Sequence, residues 1–238
     1  MEVNHAKTLA AAFRYSIPVL LGYLALGAAY GLVLTDSGLP WWLAPLSGVV
    51  IYAGAGQFLA VALFSAGAGI AEVLLAEIVL NARHLAYGIS LHKRINGAGR
   101  FKWYLIYALA DETFALISSL PGEEAGGQDR TLLMVYIAAL NQFYWVCGSL
   151  TGAVLGTLIP FNFEGVGFAL TALFVVLMVE QIRRVKKPGP FASAALVSVA
   201  AVAILPARFA LLAALVVSVA LAQGLRPQRR NDASGEEP

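Results

Sequence analysis

SIPVLLGYLALGAAYGLVLT, residues 16–35, is a run of twenty positions without one charged side chain. A helix rises about 1.5 Å per residue, so this run is about 30 Å long, the thickness of a bilayer's hydrocarbon core. Lys7 and Arg14 precede it, as basic residues precede the apolar core of a signal peptide. The run continues too far for that role and lacks a clear small-x-small cleavage site followed by a soluble domain. It reads as a retained first membrane helix.

Seven more apolar segments follow, at roughly 43–64, 70–91, 103–120, 132–158, 164–182, 190–206 and 208–225. Charged residues make up 13% of the chain, about half the share in a soluble domain, and hydrophobic residues 59%. Such a chain cannot cover itself with polar surface in water. In lipid the backbone must satisfy itself, which leaves helices or a closed barrel. Barrel strands alternate in polarity over about ten residues, and these runs are continuous. The expectation is an all-α polytopic membrane protein with about seven or eight transmembrane or re-entrant helical segments. Residues 1–225 form one transport domain in this reading, and 226–238, opening on Arg226, Arg229 and Arg230, a polar, disordered cytoplasmic tail.

Several function classes fall away. A net charge of +2 gives no reason to expect nucleic acid, and the single Cys147 supplies neither a disulfide framework nor a thiolate metal site. Neither a nucleophile elbow, an H-E-x-x-H pair nor a P-loop occurs, so no enzyme, cofactor, metal or ATP-driven step on this chain is expected.

Basic clusters at Lys7/Arg14, at Lys93, Arg94, Arg100 and Lys102, at Arg183, Arg184, Lys186 and Lys187, and in the tail should all be cytoplasmic. Three segments separate the first cluster from the second, and three more the second from the third. An odd number of crossings cannot return to one side. Either one cluster is outside, or one segment in each half does not cross simply. The second option has two sequence correlates: Tyr52-Ala-Gly-Ala-Gly-Gln-Phe58, and the amide pair in Asn141-Gln-Phe-Tyr-Trp145. Each reads as a helix break lining a cavity. The shared Gln-Phe hints at a duplicated three-segment unit, although inverted repeats would put the clusters on opposite faces.

An ionisable group at the bilayer centre costs roughly 2.5–3.5 kcal/mol by insertion scales. Glu72, Glu77, Arg83, His84, Asp111, Glu112 and Glu180 all fall within apolar segments, a load that a simple anchor would not carry. Glu77, Asn81, His84 and Gly88 follow i, i+4, i+7, i+11 spacing, a polar stripe on one helix face; snorkelling of Arg83 and His84 toward the loop at 93 is the plainer alternative. Asp111 and Glu112 repel each other if both are ionised, so at least one is expected to hold a proton or pair with Arg83. They read as a proton or ammonium site, or as a salt bridge that fixes packing. Gly54 and Gly56 beside Gln57 can open backbone groups to a small zwitterion. Gly22/Gly27/Gly31 and Gly148/Gly152/Gly156 fit close helix packing. Tyr15, Tyr23, Trp41, Trp42, Trp103 and Tyr104 read as interfacial anchors.

Three of these stretches, Tyr52–Phe58, Asn81-Ala-Arg-His-Leu-Ala-Tyr-Gly88 with Ser90-Leu91, and Ala110-Asp-Glu-Thr-Phe-Ala115, resemble the signatures of the AzlC family in order and spacing. The resemblance covers about residues 10–225. It implies the large subunit of a bacterial branched-chain amino acid exporter in the cytoplasmic membrane, carrying leucine, isoleucine, valine and often methionine, with a small AzlD-type membrane subunit as partner. The expected site comprises Gly54, Gly56, Gln57, Glu77, Asn81, Arg83, His84, Asp111, Glu112, Asn141 and Gln142, with protons as the coupling ion and lipid as solvent. Some relatives carry aspartate where this chain has Asn81, which puts in doubt any mechanism needing a carboxylate there. The rival readings are a passive channel, an exporter of another small metabolite, and a non-transporting membrane scaffold.

Overall fold

The computed structural model describes residues 5–120, 128–158 and 188–205, with isolated positions at 175, 178, 179, 182, 210, 213, 214, 217, 218 and 221. Among the described residues every regular element is a helix. The segments at 164–182 and 208–225, Glu180, the basic cluster at 183–187 and the tail lie wholly or largely outside them. The chain divides into two compact units, Met1–Leu173 and Phe174–Pro238.

In the first unit, helix α1 spans His5–Asp36 and so begins well before its uncharged run at Ser16. Helix α8 spans Gln128–Leu158. These contain the two described stretches long and apolar enough to cross a bilayer unbroken. They pack side by side and in parallel, because Gly148 meets Tyr23 and Leu24, Gly152 meets Ala28 and Gly156 meets Thr35. The seam is made of small residues. A methyl group on Gly31 or Gly152 would overlap the backbone of the opposite helix, so the glycines permit an approach no larger residue allows. The expected close packing by Gly27, Gly31, Gly148, Gly152 and Gly156 is present; Gly22 has nothing within 4 Å and takes no part.

Between α1 and α8 the three apolar segments each break in two. The second becomes α2 (Leu43–Val50) and α3 (Gly54–Ser65), and the third α4 (Ile70–Asn81) and α5 (Arg83–Ile95). The fourth becomes α6 (Phe101–Tyr107) and α7 (Asp111–Ser119). Their directions follow from which residues meet. On α2, Ser47 bonds Tyr30 of α1 and Val49 lies by Gln142, so α2 runs back from the Asp36 end of α1. After residues 51–53 the chain reverses: Gln57 bonds Ser47, and Phe58 packs on Tyr30 at 5.4 Å. Thus α2 and α3 form a hairpin that enters from the Asp36 end and leaves by it. At about 1.5 Å per residue the arms are about 12 and 18 Å long, near half of an ~30 Å core.

The fourth segment does the same from the opposite end. Arg83 meets Asp111, Tyr87 stacks on Phe114 at 4.4 Å, and Arg94 donates to the carbonyls of Ile117 and Leu120, so α5 and α7 run parallel. Helix α6 must therefore run back between them, and α6–α7 is a second hairpin. Among the described helices of this unit, only α1, α4–α5 and α8 pass from end to end. With two crossings and one hairpin before residue 93, the Lys93–Lys102 cluster returns to the end of the molecule that bears Lys7 and Arg14. For the first half this corresponds to the second of the two solutions to the parity conflict; the 183–187 cluster lies outside the described residues.

One expected break is overturned. Helix α8 runs uninterrupted through Asn141 and Gln142; Asn141 Nδ2 donates to Thr113 and Gln142 reaches Tyr104 and the α2 tip without the backbone unwinding. The break in the fourth segment falls instead at residues 108–110, Ala-Leu-Ala, which no glycine or proline marks. Glu72 is also displaced from its expected depth: it sits in the first turn of α4 and accepts from the Gly69 amide at 2.8 Å.

In the second unit, α9 (Pro188–Ile204) coincides with the seventh apolar segment, and Leu196, Val199, Val202 and Ile204 are exposed along it.

Candidate functional site at the hairpin tips

Each hairpin tip has a recognisable cause. Helix α2 ends where Ile51 and Tyr52 both donate to the Ser47 carbonyl, and Tyr52 adopts φ 46°, the left-handed turn that closes many helices and is usually given to glycine. In the other hairpin α6 ends at Ala108, Ala110 is extended, and Asp111 opens α7. The tips meet: the rings of Tyr52 and Tyr107 are 6.5 Å apart, and the Tyr107 hydroxyl donates to the Val49 carbonyl.

Two helix N-termini therefore open near mid-depth, α3 at Gly54 and α7 at Asp111. The first amides of each have no carbonyl partner within their own helix and present partial positive charge. Carboxylates sit at both. At α3, a methyl group on Gly56 would overlap the Glu77 carboxylate and approach Asn81 Nδ2 to 3.1 Å, so the glycine is the seat of that acid. Asn81 Nδ2 donates to Glu77 Oε2 at 2.7 Å, while Glu77 Oε1 and Asn81 Oδ1 are buried without partners. At α7, Asp111 accepts from Arg83 Nη1 at 2.6 Å and from the Tyr87 hydroxyl at 2.8 Å. Glu112 turns the other way and accepts from the Tyr23 hydroxyl of α1 at 2.6 Å.

The α4–α5 junction spans both tips. Glu77 and Asn81 on its first half meet α3, and Arg83 and Tyr87 on its second half meet α7. The expected stripe holds from Glu77 to Asn81, then changes course at Ala82, where the helix is interrupted. His84 Nδ1 lies 3.1 Å from the Asn81 carbonyl, and Gly88 has nothing within 4 Å. The Arg83 and Asp111 side chains are 36% and 30% exposed, so this pair lines reachable space and is not sealed in the core. Arg83 is paired inward, which removes the snorkelling alternative for it.

Other expected residues hold the tips in place. Gln57 is 2% exposed, with its Nε2 on Ser47 Oγ at 2.7 Å and its Oε1 taking the Trp145 indole N–H at 2.9 Å. That amide fastens α2, α3 and α8 and is not open to a ligand; Gly54 packs on the Trp145 ring. Gln142 does the same between hairpins. Its Oε1 accepts from Tyr104, and its Nε2 points at the Val49 carbonyl and the Tyr107 hydroxyl. Asn141 Nδ2 donates to Thr113 Oγ1 at 3.1 Å.

The sequence reading missed the tyrosines. Tyr23 is buried at mid-depth and Tyr104 bonds Gln142, so neither is an interfacial anchor; Tyr15, Trp41, Trp42 and Trp103 remain exposed as anchors would be. Tyr23 and Tyr30, seven residues apart, share one face of α1, and both rings pack on Trp145. Their position in the middle of an uncharged run was the available signal.

An uncharacterized membrane protein of Helicobacter pylori (strain ATCC 700392 / 26695) is 35% identical over 216 residues, 90% of this chain and 92% of that one. The branched-chain amino acid transport protein AzlC of Bacillus subtilis (strain 168) is 34% identical over 190 residues, 78% of this chain and 74% of its own. Inner membrane protein YgaZ of Escherichia coli (strain K12) is 31% identical over 179 residues, 71% of each chain. No solved structure matches. The family model described as AzlC protein matches residues 18–159, which takes in both hairpins, the α4–α5 junction and the α1–α8 seam: the chain belongs to the AzlC family.

Proposed function

We propose that this chain is a secondary transporter that exports branched-chain amino acids, with methionine as a further substrate, across the cytoplasmic membrane in exchange for protons. Family membership and the name of the Bacillus subtilis relative, a branched-chain amino acid transport protein, support amino acid transport. The observation that carries the mechanism is the meeting of two opposed hairpins at mid-depth, each opening a helix N-terminus beside carboxylates. A zwitterion needs donors for its carboxylate and acceptors for its ammonium. The α3 and α7 amides and Arg83 supply the first, and the unpartnered Glu77 Oε1 and Asn81 Oδ1 the second.

Gln57, Asn141 and Gln142 act as positioning residues in this reading, and Arg83–Asp111 as the contact that opens and closes between α5 and α7. Apolar walls select aliphatic side chains, but one methylene discriminates by only about 1–3 kcal/mol, so Leu, Ile, Val and Met are all carried. The N- and C-termini are cytoplasmic, with Lys7, Arg14 and the Lys93–Lys102 cluster on that side, and a small AzlD-type membrane subunit completes the complex.

The test is efflux from cells preloaded with a leucine-containing dipeptide, with and without this chain and its small partner. Faster leucine appearance outside, abolished by dissipating the proton gradient, is the expected result. No difference with both proteins confirmed in the membrane rejects the substrate assignment.

A further inference from the structure

We infer that Arg94 is a positioning residue for the mid-depth site: it anchors the far end of α7 to α5 and so sets where the α7 N-terminus stands; this rests on the transport reading above. By sequence Arg94 belongs to the basic cluster that orients the chain. Its neighbours behave as such charges do. Lys93 is exposed, the Arg100 guanidinium lies over the Phe101 ring at 5.2 Å, and Lys102 Nζ donates to Asn96 at the surface at 2.8 Å. Arg94 is half-buried and turns inward, where its Nη1 donates to the carbonyls of Ile117 at 2.8 Å and Leu120 at 3.1 Å.

The acceptors explain why an arginine is spent here. The last carbonyls of a helix have no amide ahead of them and carry partial negative charge. Helices α2, α3, α5 and α6 each end with a backbone amide that returns to the last turn. Helix α7 instead leaves the helical region at Leu120 (φ −60°, ψ 140°), and its donor comes from α5. Ile117 and Leu120 are buried, so little water competes for these carbonyls. A guanidinium in that place is a cap bearing a full charge, and such hydrogen bonds are stronger than neutral ones.

Arg83, Tyr87 and Arg94 fall at i, i+4 and i+11, on one face of α5. That face meets Asp111, Phe114 and the Ile117–Leu120 end of α7 in turn. The two ends differ in what parts them. At mid-depth Arg83 and Asp111 are both partly exposed side chains, and either can rotate away. At the other end the acceptors are backbone, so letting go means moving the helix itself. Helix α7 is thus a lever about 13 Å long, held at Arg94 and free to swing at Arg83. Asp111 and Glu112 ride on the swinging end.

The test uses the full chain with its partner subunit in proteoliposomes. KM and Vmax of leucine exchange, per folded protein, are measured for the wild type, Arg94→Met, Arg94→Lys and Lys93→Met. Spin labels on Ser90→Cys and Ser118→Cys, both exposed, with Cys147 replaced, give the α5–α7 distance in each. Arg94→Met should raise KM several-fold and lengthen or broaden the distance. Arg94→Lys should fall between it and the wild type, and Lys93→Met should change neither. A lower Vmax at unchanged KM would make Arg94 a residue of stability alone, and equal effects of Arg94→Met and Lys93→Met would make it one more orienting charge; either overturns the inference. Should Arg94→Met fail to fold, Arg94→Lys carries the test, and an unmoved KM and distance overturn it. If no form exchanges leucine, the substrate reading fails and the distance alone decides: a change in Arg94→Met upholds the anchor, and an unchanged distance removes it.

Discussion

Tyr52 and Tyr107 face each other with ring centroids 6.5 Å apart, each at the inner end of a hairpin that entered from the opposite end of the molecule. The contact explains how two short helix pairs reach mid-depth without exposing broken backbone. Gln142 of the unbroken α8 points at the Val49 carbonyl and accepts from Tyr104, so the long helix satisfies groups that the tips leave over. The α1–α8 seam supplies the rigid wall on which both tips are hung.

That seam should be the least tolerant part of the fold. Gly31→Val forces a side chain into the Ser149 carbonyl and the Ala153 amide, which cannot move without parting the helices. Overpacking typically costs about 1–3 kcal/mol, and a backbone clash falls at the upper end. Thermal melts in detergent should show a large fall in Tm for Gly31→Val and little change for Gly22→Val, which meets nothing within 4 Å.

At Gln57 the cost is a lost partner and not lost volume. Gln57→Leu leaves the Trp145 indole N–H and Ser47 without their amide, for about 1–3 kcal/mol. Adding Trp145→Phe removes the orphaned donor, so the double variant should lose less than the sum of the two singles. Additive losses in the melts would mean that this hydrogen bond contributes nothing.

Gly56 tests whether the seat of Glu77 matters to transport. Gly56→Ala displaces the carboxylate from the first turn of α3, and leucine efflux should fall sharply while the melting temperature changes little. Equal efflux in wild type and Gly56→Ala would show that the position of Glu77 is immaterial.

For the Arg83–Asp111 pair, a charged hydrogen bond is worth about 1.5–3 kcal/mol, and partial exposure places this one at the lower end. Arg83→Gln and Asp111→Asn should each destabilise, and the double variant should recover part of the loss by removing the unpaired charge.

Much of this was legible in the sequence because lipid imposes strict lengths. The uncharged run at 16–35 could only be a membrane helix, and glycines at spacings of four marked the seam that α1 and α8 use. Charge parity left two solutions, a basic cluster outside or one segment in each half doubling back, and the hairpins at 43–64 and 103–120 fit the second. Their break points were harder to read. Gly54 and Gly56 lie just past the first tip and flagged it, but Ala108, Leu109 and Ala110 carry no breaker at all, and the second turn is imposed by packing against Gln142 and Tyr87. Asn141 and Gln142 misled for the complementary reason: an amide in an apolar helix signals an unmet polar group nearby, and here that group belongs to other segments. Gln57, read as a ligand contact, has its amide on Ser47 and Trp145.

The most direct test is the sidedness of the connections. With Cys147 replaced, single cysteines at Ser37, Ala66 and Gly97, all exposed, are labelled in intact cells by a membrane-impermeant maleimide. The account predicts that Ser37→Cys and Ala66→Cys label from outside and that Gly97→Cys labels only after the membrane is opened. Ser37→Cys and Ala66→Cys on opposite faces would make 43–64 a simple crossing and contradict the paired hairpins.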